Sequence, residues 1–254
     1  PNVTIIAGDL FNRSRVWADT ALEDVNDAIN DFLRPLCRYS EQVVVLFGTE
    51  NHDNPRSFEV LSQTTASESN LHIFTQPDVY TIGTSVGNLQ VLALPGFDKG
   101  RLRLFCPTVD KETENRNATA LINEVLVGLA GKLDRSKPSV LVAHYTVAGS
   151  EADNGSTFLA GQDTVLLPQS IDMTGVNLAC LGHIHKPQRL GCNTPTFYSG
   201  SVNQLNFNDE GTEHGFYLHE IAEDGAVDSV FINTPERRHL TVRLTPEDIA
   251  EFLT

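Results

Sequence analysis

The 254-residue chain is short of three things. No apolar run approaches the roughly 20 residues needed to cross a bilayer, which argues against a membrane-spanning helix, and no leader segment is visible. Cysteine is scarce and scattered: Cys37, Cys106, Cys180 and Cys192 form no C-x-x-C pair. That spacing disfavours a zinc ribbon or a disulfide framework, so reduced thiols and a cytoplasmic location are expected. Basic charge is the third shortage, with 18 Lys and Arg against 33 Asp and Glu, a formal charge of −15. Gripping a polyanion draws on Lys and Arg. A nucleic-acid role therefore has to rest on metal charge, a local basic patch or a partner. Internal repeats and low-complexity tracts are also missing, and the length suits one large domain, alone or with an appendage.

What the chain has is strand–helix alternation and eight histidines, several of them at strand ends. Val3 to Leu10 reads as a buried parallel strand that delivers Asp9 into a loop. Residues 19–36 place Leu22, Val25, Ile29, Leu33 and Leu36 at helical spacing, and Val43 to Phe47 is a second buried strand. Leu71 to Phe74, Val79 to Ile82 and Leu89 to Leu94 read as short strands. Asp110 to Leu133 has a long helical pattern. Ser139 to Tyr145 and Gly175 to His185 read as buried strands ending in histidine. Beyond Pro195 the pattern is strand-like at Phe197–Tyr198, Phe216–His219, Val227–Ile232 and Leu240–Leu244, with a short helix at residues 246–253. Such an order predicts an α/β layered domain, sheets inside and helices outside. Glu151 to Asp163 is expected to be a polar loop near the site, and a weak boundary falls at residues 233–238.

Four strand ends carry chemistry: Gly8-Asp9, Asn51-His52-Asp53, His144 and His183-x-His185. Ligands gather at the carboxyl ends of strands in open α/β sheets. Each piece has a plain reading on its own. An Asp after Gly is usually a turn or cap, a lone strand-end His is usually structural, and two histidines can simply face solvent. Together they form a donor set of carboxylate, amide oxygen and imidazole that suits Mn²⁺, Fe²⁺ or Zn²⁺. A carboxylate has the lone pairs to bridge two ions, and two ions about 3.5–4 Å apart clamp an in-line displacement at phosphorus. In an extended chain, residues two apart point the same way, which would let His183 and His185 serve one cluster.

The order GD, N-H-D, H and G-H-x-H resembles the signature of the calcineurin-like metallophosphoesterases. "AGDLF" at 7–11, "HYTVAGSE" at 144–151, "LGHIHKPQ" at 181–188 and "FYSGSVNQLNFNDEGTEHGFYLHEI" at 197–221 resemble the SbcD branch of DNA double-strand-break repair nucleases. That resemblance implies a four-layer α/β/β/α metallophosphoesterase sandwich over residues 1–234, with 235–254 the start of a small capping domain. It implies that Asp9 bridges two divalent ions, manganese foremost, with magnesium, iron or zinc as alternatives. Asn51, His144 and His183 would complete one shell, and His185 would reach the other ion. His52 would stand over the scissile phosphate as charge stabiliser or proton donor, and Asp53 would orient His52 or cap the following segment. Lys186, Arg189 and Arg101 are the candidates for holding the nucleic-acid backbone. The implied activity is phosphodiester hydrolysis in DNA, as a 3′-to-5′ exonuclease on duplex ends and an endonuclease on single strands. The implied partners are DNA, an SbcC-type ATPase and a second copy of the full-length protein, with no membrane.

Two features depart from the family pattern. The D-x-H pair on a first strand, which supplies the metal shared with His185, does not precede Asp9. A form shortened at its N-terminus, lacking one strand and part of one metal shell, is the expectation. Gly-Asn-His is also spread out as Gly48-Thr49-Glu50-Asn51-His52. Alternatives are another phosphoesterase acting on a small phosphodiester or phosphoprotein, and a non-catalytic module of the same fold.

Overall fold

A computed structural model describes residues 1–11, 21–49, 52–96, 110–152, 155–159, 164–235 and 237–243. Eleven strands and five α-helices alternate along them. The order is β1 (Val3–Ile6), α1 (Ala21–Asp27), α2 (Arg34–Tyr39), β2 (Gln42–Leu46), α3 (Pro55–Thr64), β3 (Leu71–Phe74), β4 (Asp78–Thr84), β5 (Gly87–Leu94), α4 (Lys111–Ala130), β6 (Ser139–His144), α5 (Pro168–Thr174), β7 (Leu178–Gly182), β8 (Gln188–Arg189), β9 (Thr196–Tyr198), β10 (Gly215–Ile221) and β11 (Val227–Asn233). A π-helical turn at Ala28–Leu33 joins α1 to α2.

The strands form three sheets. A parallel sheet has the order β1-β2-β3, a six-stranded sheet the order β4-β5-β6-β7-β9-β8, and β10 pairs with β11 as an antiparallel ribbon. Strands buried on both faces need apolar side chains at every position, and the runs VVVL and VLVA supply them. Val44 and Leu46 of β2 face the six-stranded sheet, meeting Val91, Ala93, Val140 and Val142. Val43 and Val45, pointing the other way, meet Val25, Ile29, Leu33, Phe58 and Leu61 of the N-terminal helices. The opposite face of the six-stranded sheet packs Leu92, Leu141, Ala143 and Leu181 against Ile122, Leu126 and Ile171 of α4 and α5. Three apolar seams thus separate four layers, helix–sheet–sheet–helix, as expected.

Helix ends follow local chemistry. Asp110 caps α4 by accepting the Thr113 amide at 2.8 Å, and Asn54 caps α3 by accepting the Arg56 amide at 2.9 Å. Helix α5, not foreseen from the sequence, starts at Pro168 and stops at Gly175, whose φ of 64° is left-handed. That pairing of N-terminal proline and C-terminal glycine is a local signature, too short to show apolar periodicity.

Several expected boundaries move. Strand β1 stops at Ile6 because Gly8 and Asp9 have φ of 96° and 52°, outside the extended region. Strand β7 stops at Gly182, since His183 has φ 97°. The extended geometry expected to aim His183 and His185 the same way is therefore absent. Residues 240–243 are not a strand: Leu240 and Val242 are exposed, and the Thr241 amide is held by the Glu210 carboxylate at 2.9 Å instead of a ladder. The helix expected at 246–253 lies outside the described residues, as do Cys106 and most of the expected capping segment. Cys37, Cys180 and Cys192 are free thiols.

Leu126 is fully buried between α4 and the central sheet. Leu126→Ala is expected to cost about 2–5 kcal/mol of folding stability, read as a lower midpoint in urea denaturation.

Candidate metal centre

The ends of β1, β6 and β7 bring Asp9, His144 and His183 together: His144 is the last residue of β6, and Asp9 and His183 stand in the loops that follow β1 and β7. Each offers one ligand atom, and these atoms lie within 4.8 Å of one another. Pairing of β6 with β7 in parallel register places His144 beside Gly182, one residue ahead of His183.

His144 is buried, and its Nδ1 lies 2.7 Å from the Ala7 carbonyl oxygen. A carbonyl only accepts, so Nδ1 carries a proton and donates it. In the neutral ring Nε2 is then a lone pair. It is buried without a hydrogen bond and sits 3.2 Å from Asp9 Oδ2. A lone pair facing a carboxylate oxygen in a buried place calls for a cation or a proton between them. A histidine whose second nitrogen is fixed by a carbonyl is the usual arrangement of a metal ligand. The donors therefore fit a divalent ion.

The charge states agree. Burial opposes ionisation of Asp9, whereas positive charge at the His144 Nε2 position, helped by His52 and the Thr49 amide, holds its pKa below the ordinary carboxylate value. The Thr49 amide donates to Asp9 Oδ1 at 3.3 Å. Burial of the His183 ring, reinforced by His144, holds its pKa down at about 4. Though His183 keeps an exposed edge, its ring is neutral near pH 7 and has a lone pair to give. The His144 and His183 rings meet edge-on, with centroids 5.3 Å apart.

Asp53 has a different place from the one expected. It is fully buried, and its hydrogen bonds go to backbone amides instead of His52. Oδ2 accepts from Gly48 at 2.7 Å and from Asp9 at 3.0 Å, and Oδ1 accepts from Phe11 at 3.1 Å. Nor does it cap the next helix, since Asn54 does that. Burial pushes its pKa up to about 6 against the pull of those amides. Asp53 pins the loop after β1 to the loop after β2 and so sets the backbone on which Asp9 stands.

Two glycines make the close approach possible. A Cβ on Gly8 would run into the His144 ring, and one on Gly182 would run into the Ala7 carbonyl and the same ring. Gly8 also needs its φ of 96°, which side chains rarely adopt.

The other expected residues fall as follows. His52 lies close enough to act electrostatically on both Asp9 and His183. His185 acts on His183 but stands outside the three-residue group. Lys186 is ion-paired with Glu151 at 2.6 Å, and the Arg189 guanidinium lies 5.6 Å from the Phe197 ring centre. Asn51 and Arg101 lie outside the described residues. The Ala7 carbonyl and the three amides on Asp53 were not foreseen. Glycines at or just past the ends of β1, β2 and β7, at 8, 48 and 182, were the available signal.

Asp53→Asn replaces one carboxylate oxygen with an amide that cannot accept. It is expected to weaken Mn²⁺ binding by about 10–100-fold, the usual cost of losing a supporting group behind a ligand, measured by titration calorimetry.

The SbcD component of the SbcCD nuclease of Staphylococcus epidermidis is 24% identical over 247 residues, covering 95% of this chain. The same component from Staphylococcus saprophyticus is 26% identical over 247 residues, again covering 95% of this chain. This chain spans 61% of the length of each. A solved phosphopantetheinyl hydrolase from Mycobacterium tuberculosis aligns at 14% identity over 78% of each chain, with a TM-score of 0.45. The model of the calcineurin-like phosphoesterases matches residues 1–187, a span that holds Asp9, His144 and His183, and the chain belongs to that family of phosphate-ester hydrolases.

Proposed function

We propose that this chain is the catalytic domain of a metal-dependent DNA nuclease. The observation that carries the reading is the buried His144 Nε2 lone pair facing Asp9, with His183 completing the group. The likeness to the SbcD component of the SbcCD nuclease over 95% of the chain supports DNA as substrate.

In this reading Asp9, His144 and His183 hold a divalent ion, with Asn51 joining them and His185 serving a second. Such ions, manganese foremost, supply Lewis acidity toward phosphoryl oxygens. The protein supplies the rest. Asp53 fixes the backbone of Asp9. The carbonyl of Ala7 fixes the tautomer of His144. His52, beside the ionised Asp9, donates a proton to the leaving oxygen or neutralises charge there. Arg189, Lys186 and Arg101 steady the nucleic-acid backbone. With a net charge of −15, the domain gains most of its hold on DNA from an SbcC-type ATPase that supplies positive surface.

The pairing of Lys186 with Glu151 and the acidic balance favour a second reading, a phosphoesterase acting on a small phosphodiester. Incubation with Mn²⁺ and either linear duplex DNA or bis(p-nitrophenyl) phosphate separates the two. Shortening of the DNA is expected; DNA left intact while the small diester is cleaved would refute the nuclease reading. His52→Ala is expected to lower cleavage by about 100-fold or more with Mn²⁺ affinity unchanged in calorimetry. Equal loss of metal binding would overturn the role given to His52.

A further inference from the structure

A buried tyrosine outside the metal group reaches, through one backbone segment, the turn that carries His52. Strands β5 and β6 run parallel, with Leu94 beside Ala143. Pro95 and Gly96 leave the first of them, and Tyr145 leaves the second. The Tyr145 ring is buried, and its phenol donates to the Pro95 carbonyl at 2.9 Å. The backbone carbonyl of Tyr145 accepts in turn from the phenol of Tyr198 at 2.6 Å, and Tyr198 is fully buried in β9. Two phenols thus tie together β9, β6 and the end of β5, all within the six-stranded sheet.

The same row of contacts continues into the β1-β2-β3 sheet. The Gly96 amide donates to the Phe47 carbonyl at 3.1 Å, just past the end of β2. Gly96 lies so close to the following peptide that a Cβ on it would run into the Gly48 carbonyl. The Gly48 amide is held by Asp53 Oδ2 at 2.7 Å. Directly after Gly48 the turn begins: the Thr49 carbonyl accepts the His52 amide at 3.0 Å and the Asp53 amide at 2.8 Å. Gly48 is therefore clamped between Asp53, from within the turn, and Gly96, from the other sheet. Asp53 sets the shape of the turn, and Gly96 sets where the turn sits. Pro95 is buried, and a buried carbonyl that loses its donor is unfavourable. Without the phenol, the Pro95–Gly96 backbone is free to shift.

The geometry points to Tyr145 as a positioning residue for His52. Its phenol holds the Pro95–Gly96 backbone against Gly48 and so sets where the His52 turn stands relative to Asp9 and His183. This inference rests on the role given to His52 in phosphodiester hydrolysis. A displacement of about 1 Å near a reacting group can cost on the order of 100-fold in rate.

Tyr145→Phe tests it, because the ring keeps its packing and loses only the donor. In the metal-free chain the Gly96 amide is expected to exchange about 10-fold or more faster. The His52 ring resonances are expected to shift in NMR spectra, with His219 on the β10–β11 ribbon as the reference. With Mn²⁺ and either duplex DNA or bis(p-nitrophenyl) phosphate, kcat is expected to fall by about 10-fold, with KM and the calorimetric Mn²⁺ affinity unchanged. In a His52→Ala background the same substitution is expected to add less than about 2-fold. Unmoved His52 resonances would overturn the inference. So would an equal loss of rate in both backgrounds, which marks an effect through the fold and not through His52. If the parent chain cleaves neither substrate, the nuclease reading falls instead, and the NMR comparison decides the placement of His52 by itself.

Discussion

One hydrogen bond sets the geometry of the site. His144 Nδ1–H to the Ala7 carbonyl, at 2.7 Å, ties the end of β6 in the six-stranded sheet to the loop leaving β1 in the other sheet. Because the carbonyl can only accept, the bond also decides which imidazole nitrogen is left as a lone pair. It brings two backbones so close to one ring that neither Gly8 nor Gly182 has room for a Cβ. Position, tautomer and the glycine requirement follow from the same contact.

The surrounding loops are held in costly conformations. Asp9 and His183 both have positive φ, worth of order 1–3 kcal/mol each for residues with a side chain. Such strain persists only where neighbouring structure over-determines it. Here the neighbours are specific: three amides on the buried Asp53 hold the loop of Asp9, and parallel pairing of β6 with β7 through Gly182 holds the approach to His183. The apolar seams on both faces of β2 and β6 supply the rigidity behind them. A shift in either sheet would move a ligand away from the others.

Much of this was legible in the sequence for identifiable reasons. Strands buried on both faces leave uninterrupted apolar runs, so β2, β5, β6 and β7 could be read directly, and the Gly-Asp after β1 with the histidines at or beyond the ends of β2, β6 and β7 marked where chemistry collects. The order of those motifs carried the family. What the sequence could not convey was backbone conformation. An alternation rule aimed His183 and His185 alike, but it holds only in extended chain, and His183 is not extended. Asp53 looked like a companion of His52 by adjacency, whereas its partners at residues 9, 11 and 48 are brought near only by the fold. Leu240 and Val242 alternate like a strand, yet exposed side chains with no neighbouring edge do not make one.

The central claim is that Asp9, His144 and His183 hold a divalent cation through the lone pair that Ala7 leaves on His144. Anomalous diffraction from crystals grown with Mn²⁺ tests it most directly. The account predicts a manganese peak about 2.0–2.3 Å from an Asp9 carboxylate oxygen, His144 Nε2 and a His183 ring nitrogen. Manganese bound elsewhere on the chain, with these three side chains unligated, would contradict it.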